Sequence, residues 1–265
     1  MTIKELIAQR DYIADGTAKT REMADKFPRG SPEREAIYKQ LLDDIVKGLE
    51  ERARQRLIWD FSKEKSQRIF AIDDDLTLRP LNTSDVDFYW DIKKQYSAYY
   101  RLILKTEIHR RESMFIADMC VPESFYCIIA SQENPIGYLG IKDTEKDIWE
   151  LAIELDGQYT HHGFGSRSIV LFLNKISQIT GKTLFRAKVM PDNIPSQKCF
   201  EKIGSKLIGV CNEGFIRLPE EKAKYEAEHL NLIDDNIREL AARLDVEPKR
   251  LLTDVLEYHI FCPLT

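Results

Sequence analysis

The stretch that decides the fold is Trp149-Glu150-Leu151-Ala152-Ile153-Glu154-Leu155-Asp156-Gly157-Gln158-Tyr159-Thr160-His161-His162-Gly163-Phe164-Gly165-Ser166. Its first seven residues form a buried-strand pattern, a short turn follows, and a glycine-containing loop then opens an amphipathic segment. Ile169, Val170, Leu173 and Ile176 supply the apolar stripe of a helix over Ser166–Ile179. A strand that runs through such a loop into a helix aims successive backbone N–H groups, aided by the helix dipole, at a diphosphate. Gly163 and Gly165 suit that task because the backbone must approach the phosphates without a Cβ in the way.

Two other phosphate loops are excluded by spacing. No G-x-x-x-x-G-K-[S/T] occurs, which argues against a P-loop nucleotidase. Neither a third glycine three residues after Gly165 nor a βαβ unit surrounds the loop, which disfavours a dinucleotide fold.

Working outward, Leu76-Thr77-Leu78-Arg79-Pro80 is a short alternating strand. Asp85–Met119 reads as a long tyrosine-rich helix, and Phe125–Ala130 and Ile136–Ile141 as a strand pair joined through Ser131–Pro135. Beyond the loop come a strand at Leu184–Val189, a helix at Ile194–Ile203 and a hairpin turning at Asn212-Glu213-Gly214. The flanks read as helical. Ile3, Leu6, Ile7 and Ile13 recur at helical spacing, and Ser31-Pro32-Glu33 opens a second helix with Ile37, Leu41, Leu42, Ile45 and Leu49 on one face. Glu220–Leu244 and a segment opening at Pro248 complete the chain as helices. The expected organisation is therefore residues 1–75 as an N-terminal helical extension, 76–218 as the central domain, and 219–265 as a C-terminal helical extension.

Hydrophobic residues at 43% and charged residues at 31% describe a globular protein, and a net charge of −5 disfavours a nucleic-acid backbone binder. The charge is uneven: Leu76–Leu218 is net +1, whereas Pro219–Thr265 carries 11 acidic against 6 basic residues. The helix-turn-helix flavour of Leu240–Leu256 therefore reads as a packing or homodimer element rather than a DNA reader. The cysteines at 120, 127, 199, 211 and 262 are odd in number and lack C-x-x-C spacing, which suits a reducing compartment. With no signal-like start and no stretch of roughly 20 apolar residues, the expectation is a cytoplasmic protein outside membranes. His161 and His162 lack an acidic partner at H-E-x-x-H spacing, so no metal is expected.

The loop resembles motif A of the GNAT N-acetyltransferase family, an Arg/Gln-x-x-Gly-x-Gly/Ala pattern, with Thr160 in place of the first Arg/Gln. Asn193-Ile194-Pro195-Ser196, followed by Phe200-Glu201-Lys202-Ile203-Gly204, resembles the family's motif B. Leu76-Thr77-Leu78-Arg79-Pro80-Leu81 with Asp85 looks like the first strand of the ribosomal-protein N-terminal acetyltransferase branch, and Gly137-Tyr138-Leu139-Gly140 like its third. The resemblance implies an α+β, mixed-sheet GNAT fold using acetyl-CoA to acylate an amine by direct attack in a ternary complex. Ile153, Glu154 and Leu155 would meet the pantetheine and acyl carbonyl, His161, His162, Gly163, Phe164, Gly165 and Ser166 the pyrophosphate, and Asn193 and Ser196 the cofactor, Asn193 directly or through a bound water.

Direct attack requires a base. Glu150 is the first candidate, since it stands where this branch commonly carries a glutamate, and Glu154, which shares its strand face, is the second. The tyrosine that donates a proton in many relatives is Phe200 here, leaving Ser196, Tyr159 or water for that role. Phe200, Thr160 and the helical extensions also suit a non-catalytic CoA-binding module. Cys199 reads as packing, and Tyr96, Tyr99 and Tyr100 as core or cleft wall.

Overall fold

The computed structural model describes residues 18–28, 30–55, 69–96, 115, 119, 124–212 and 219–264. Helix α1 (Pro32–Gln55) begins as its sequence predicts, with the Arg34 N–H donating to Ser31 Oγ at 3.3 Å and Pro32 at the first helical position. The periodic residues Ile3, Leu6, Ile7 and Ile13 lie outside the described residues.

One mixed sheet of eight strands organises the rest, in the order β1-β2-β3-β4-β5-β6-β8-β7. A hairpin of β1 (Ala71–Asp73) and β2 (Leu76–Pro80) opens it, so the sheet starts ahead of Leu76. Helix α2 (Val86–Tyr96) follows, positioned by Asp85. That buried carboxylate takes a two-pronged bond from Arg79 at 2.6 and 2.9 Å and the Asn82 N–H at 2.8 Å, locking the corner between β2 and α2. Of the longer helix expected to reach Met119, residues 97–114 and 116–118, with Tyr99 and Tyr100, lie outside the described residues, while Phe115 and Met119 are buried.

Strands β3 (Phe125–Ser131) and β4 (Asn134–Lys142) pair antiparallel across a two-residue turn in which Gln132 and Glu133 both take positive φ. That geometry matches the twist of the flanking strands. Next come β5 (Trp149–Leu155), helix α3 (Phe164–Thr180), β6 (Leu184–Val189), helix α4 (Ile194–Lys202) and β7 (Lys206–Cys211).

The C-terminal segment differs from its expectation. It holds helices α5 (Pro219–Glu228) and α6 (Asp235–Leu244), with a 3-10 turn at Leu230–Leu232 between them rather than one continuous helix. Pro248 opens only a 3-10 turn, and Val255–Phe261 is strand β8, inserted between β6 and β7. Among the described residues the antiparallel partner of β7 is therefore β8, and the hairpin expected to turn at Asn212-Glu213-Gly214 runs into residues outside the described ones. Alternation of Leu256, Tyr258 and Ile260 with Glu257 and His259 buries one face and leaves the other polar, so this stretch is more stable as a strand than as a helix. Asp254, fully buried, anchors the insertion through Arg250 at 3.0 Å and Lys222, and Thr253 Oγ1 donates to Glu226 at 2.6 Å.

The sheet separates two cores. On one face Ile169, Phe172, Leu173 and Ile176 of α3 pack with Leu151, Phe185, Tyr258, Phe200 and Leu240. Each such fully buried side chain contributes roughly 1.5–3 kcal/mol. On the other, Tyr89 and Ile92 of α2 pack with Phe115, Tyr126, Ile128 and Tyr138.

Candidate functional site

Strand β5 changes character halfway along. Trp149, Glu150 and Leu151 pair in parallel with Phe185, Arg186 and Ala187 of β6, and the pairing stops there. From Ala152 to Leu155 the strand continues its antiparallel ladder with β4 alone, while β6 turns to β8 along its whole length. The two central strands thus part, and the outer edge of Ala152–Leu155 offers main-chain groups to any extended ligand laid in the gap.

The gap leads to the loop before α3. Asp156 caps a 3-10 turn over Gly157–Tyr159 by accepting from the Gln158 N–H at 3.0 Å, and Thr160 Oγ1 donates back to the Gly157 carbonyl at 2.8 Å. Thr160 therefore closes its own turn. His161 (φ 65°) and Gly163 (φ 82°) are both left-handed, and Gly163 is the N-cap of α3 with no side-chain capping bond. The N–H groups of the first turn consequently lack a capping side chain, which is the arrangement that receives an anion. A Cβ at Gly165 would sit 3.4 Å from Cys199 Sγ and 3.5 Å from a Leu155 methyl, so strand, loop and α4 meet there without spare room. Lys202 Nζ approaches to 3.9 Å from where a Gly163 Cβ would stand, adding positive charge. Ser166, Arg167 and Lys202 also edge a trough of 1140 Å³ along the outer face of α3, bounded by Ile69–Asp73 and Pro263.

The motif B residues form a helix cap: Asn193 Oδ1 accepts from the Ser196 N–H at 3.1 Å, which orients α4 toward the gap. Phe200 is buried and stacked on Tyr258, with centroids 5.6 Å apart. Tyr159 sits edge-on to Phe164 at 6.2 Å, beside the loop. Burial pushes the Cys199 thiol up, with only partial relief from Lys202, which fits a packing role.

Strand alternation puts both candidate carboxylates on the α2 face of the sheet, yet in different surroundings. Glu150 is 5% exposed and meets Lys142 at 2.8 Å, Lys188 at 2.5 Å and Arg186 at 3.4 Å. Glu154, beside the open edge, is 30% exposed and pairs with Lys93 at 2.5 Å, while its Oε2 has no hydrogen-bond partner among the described residues. The Lys93 ammonium lies 5.6 and 5.9 Å from the ring centres of Tyr89 and Tyr138. Lys93, Arg186 and Lys188 went unnoticed in the sequence, where nothing marks them off from surface cations; only their pairing across the sheet brings them here.

Residues 75–206 match the model of the acetyltransferase (GNAT) domain. No curated protein matches the chain. Among solved structures, it is similar to RimL, a ribosomal-protein α-N-acetyltransferase in complex with coenzyme A, at 13% identity. That match covers 74% of this chain and 98% of RimL, with a TM-score of 0.50. Mycobacterium smegmatis RimJ in complex with a CoA disulfide matches at 14% identity, 71% and 82% coverage and a TM-score of 0.47. A chimera of the Vibrio cholerae spermidine N-acetyltransferase SpeG matches at 16% identity, 71% and 96% coverage and a TM-score of 0.49. The parted strands, the uncapped glycine loop and the family match converge on one assignment: the chain belongs to the GNAT acetyltransferase superfamily.

Proposed function

We propose that the protein transfers an acetyl group from acetyl-CoA to a primary amine by direct attack in a ternary complex. The observation that carries this reading is the parting of β5 and β6 beside an uncapped helix start. An extended pantetheine arm fits against main-chain groups of Ile153, Glu154 and Leu155, and a diphosphate fits the first-turn N–H groups after Gly163, between His161 and Ser166. Gly165 leaves the backbone accessible where the loop lies beside Cys199 and Leu155.

On the α2 face, Glu154 is the base this geometry supports. Its carboxylate borders the open half of the strand, is six times as exposed as that of Glu150, and pairs with Lys93 rather than with a cluster of three cations. Glu150 is already committed to three cations, and a proton placed on it would leave them facing a neutral acid. Glu154 takes the amine proton, directly or through one water, as nitrogen bonds to the acyl carbon and the carbon–sulfur bond breaks. A strand N–H in the open half polarises the carbonyl oxygen on which charge grows. Phe200 offers no proton to the leaving thiolate, so solvent or Tyr159 supplies it.

Calorimetry with acetyl-CoA, paired with a thiol-release assay over a panel of amines, tests the proposal. Binding accompanied by amine-dependent CoA release is the expected result. Binding without turnover on any amine favours a CoA-responsive module, the reading that the buried Phe200 also suits.

A further inference from the structure

An amine that Glu154 deprotonates must bring its nitrogen within hydrogen-bonding reach of that carboxylate. One amine of the chain itself is already there. Lys93 Nζ lies 2.5 Å from Glu154 Oε1, although the two residues stand 61 positions apart in sequence.

The surroundings hold Lys93 in that place. Its side chain is 11% exposed, and its ammonium stands 5.6 and 5.9 Å from the ring centres of Tyr89 and Tyr138. Gln95, two residues on, accepts the Gly157 N–H at 2.8 Å, which docks the last turn of α2 on the end of β5. Lys94 serves as the contrast, since it is 46% exposed and pairs with Asp91 of its own helix. In the proposed complex the thioester lies along the open half of β5, so nucleophile, base and acyl carbon share one short stretch of strand. An amine tethered on its base reacts as part of one molecule, without the entropy cost of bringing a second one in.

We propose that the protein acetylates its own Lys93, in cis, when no external amine is present. Glu154 takes one proton from the Lys93 ammonium, and the freed nitrogen bonds to the acetyl carbon. The carbon–sulfur bond breaks with its electron pair on the CoA sulfur, and the second proton lost from nitrogen ends on that thiolate. The product amide is uncharged, which dissolves the ion pair with Glu154. The inference rests on the acetyltransferase reading of the same site, with Glu154 as its base.

The test incubates the full chain with saturating acetyl-CoA and no added amine, and follows each lysine by peptide mass spectrometry. Lys93 should gain an acetyl group about tenfold faster than Lys94 or the 75% exposed Lys224, whereas uncatalysed acetylation favours the exposed lysines. The rate per molecule should not change with protein concentration. Glu154→Gln should slow the labelling of Lys93 about a hundredfold, while its calorimetric affinity for acetyl-CoA stays within about twofold. Three results overturn the inference: Lys93 labelled no faster than Lys94, a rate per molecule that rises with protein concentration, or full labelling speed in Glu154→Gln. Acetyl transfer itself stands in those cases wherever acetyl-CoA binds and an added amine releases thiol. Failure to bind acetyl-CoA and to acylate any amine overturns the underlying reading, and this inference with it.

Discussion

The two halves of β5 are one strand in sequence and two environments in space. Glu150 and Leu151 are paired on both edges, between β4 and β6, whereas among the described residues Ala152–Leu155 is paired on one edge only. Glu150 in the closed half is a buried counter-ion to three cations, and Glu154 in the open half is a partly exposed carboxylate paired with Lys93. Identical side chains four residues apart thus acquire different work, because the strand beside one of them turns away. Backbone pairing, rather than residue type, gives the two acids their different surroundings, and the proposed base is the one in the open half.

That contrast can be broken most severely at Glu154. Glu154→Gln should lower kcat by about a hundredfold or more while acetyl-CoA affinity stays within twofold, since a positioned base contributes on that order. Full activity in this variant would end its assignment. Next in size is the loop: Gly165→Val adds branches beyond a Cβ that would already touch Cys199 and Leu155, and covers backbone that the diphosphate must approach, so it should weaken acetyl-CoA binding about tenfold. Titration calorimetry measures it.

Glu150→Gln sharpens the contrast from the other side. Stripping the charge from a carboxylate enclosed by three cations should cost about 3 kcal/mol in urea unfolding. The surviving folded fraction should keep its turnover. A large rate loss with unchanged stability would return Glu150 to the chemistry.

The smallest effect concerns thiols. Burial pushes the Cys199 thiol up and that of Cys262 up to about 11, so both stay protonated at pH 8 and react slowly with iodoacetamide. For Cys262 the folded value lies above the unfolded one. Its contribution to stability is therefore full below about pH 8.5 and fades as the pH rises toward 11. Cys199, at the contact with Gly165, should be alkylated first, and acetyl-CoA should slow it about tenfold; Cys262 should not respond to acetyl-CoA.

Much of this was legible in the sequence for a physical reason. Strands such as Leu184–Val189 and the loop around Gly163 announce themselves through local alternation and local backbone need. Strand β8 was missed because its partner β7 ends at Cys211, more than forty residues earlier, and the intervening helices suggested more helix. Yet Leu256, Tyr258 and Ile260 carried the period-two signal throughout. The different surroundings of Glu150 and Glu154 carry no such local signal. Lys93 is 61 residues from Glu154, and Arg186 and Lys188 reach Glu150 only through a parallel crossover. Electrostatic surroundings built by non-local pairing leave no mark on the strand that they transform.

The central claim is that the open half of β5 receives acetyl-CoA as an added strand. Amide hydrogen exchange, measured with and without saturating acetyl-CoA, tests it most directly. Marked slowing is expected at the gap-facing amides of Ala152–Leu155 and at Phe164–Ser166, with Trp149–Leu151 unchanged. Saturation that leaves Ala152–Leu155 exchanging as in the free protein would contradict it.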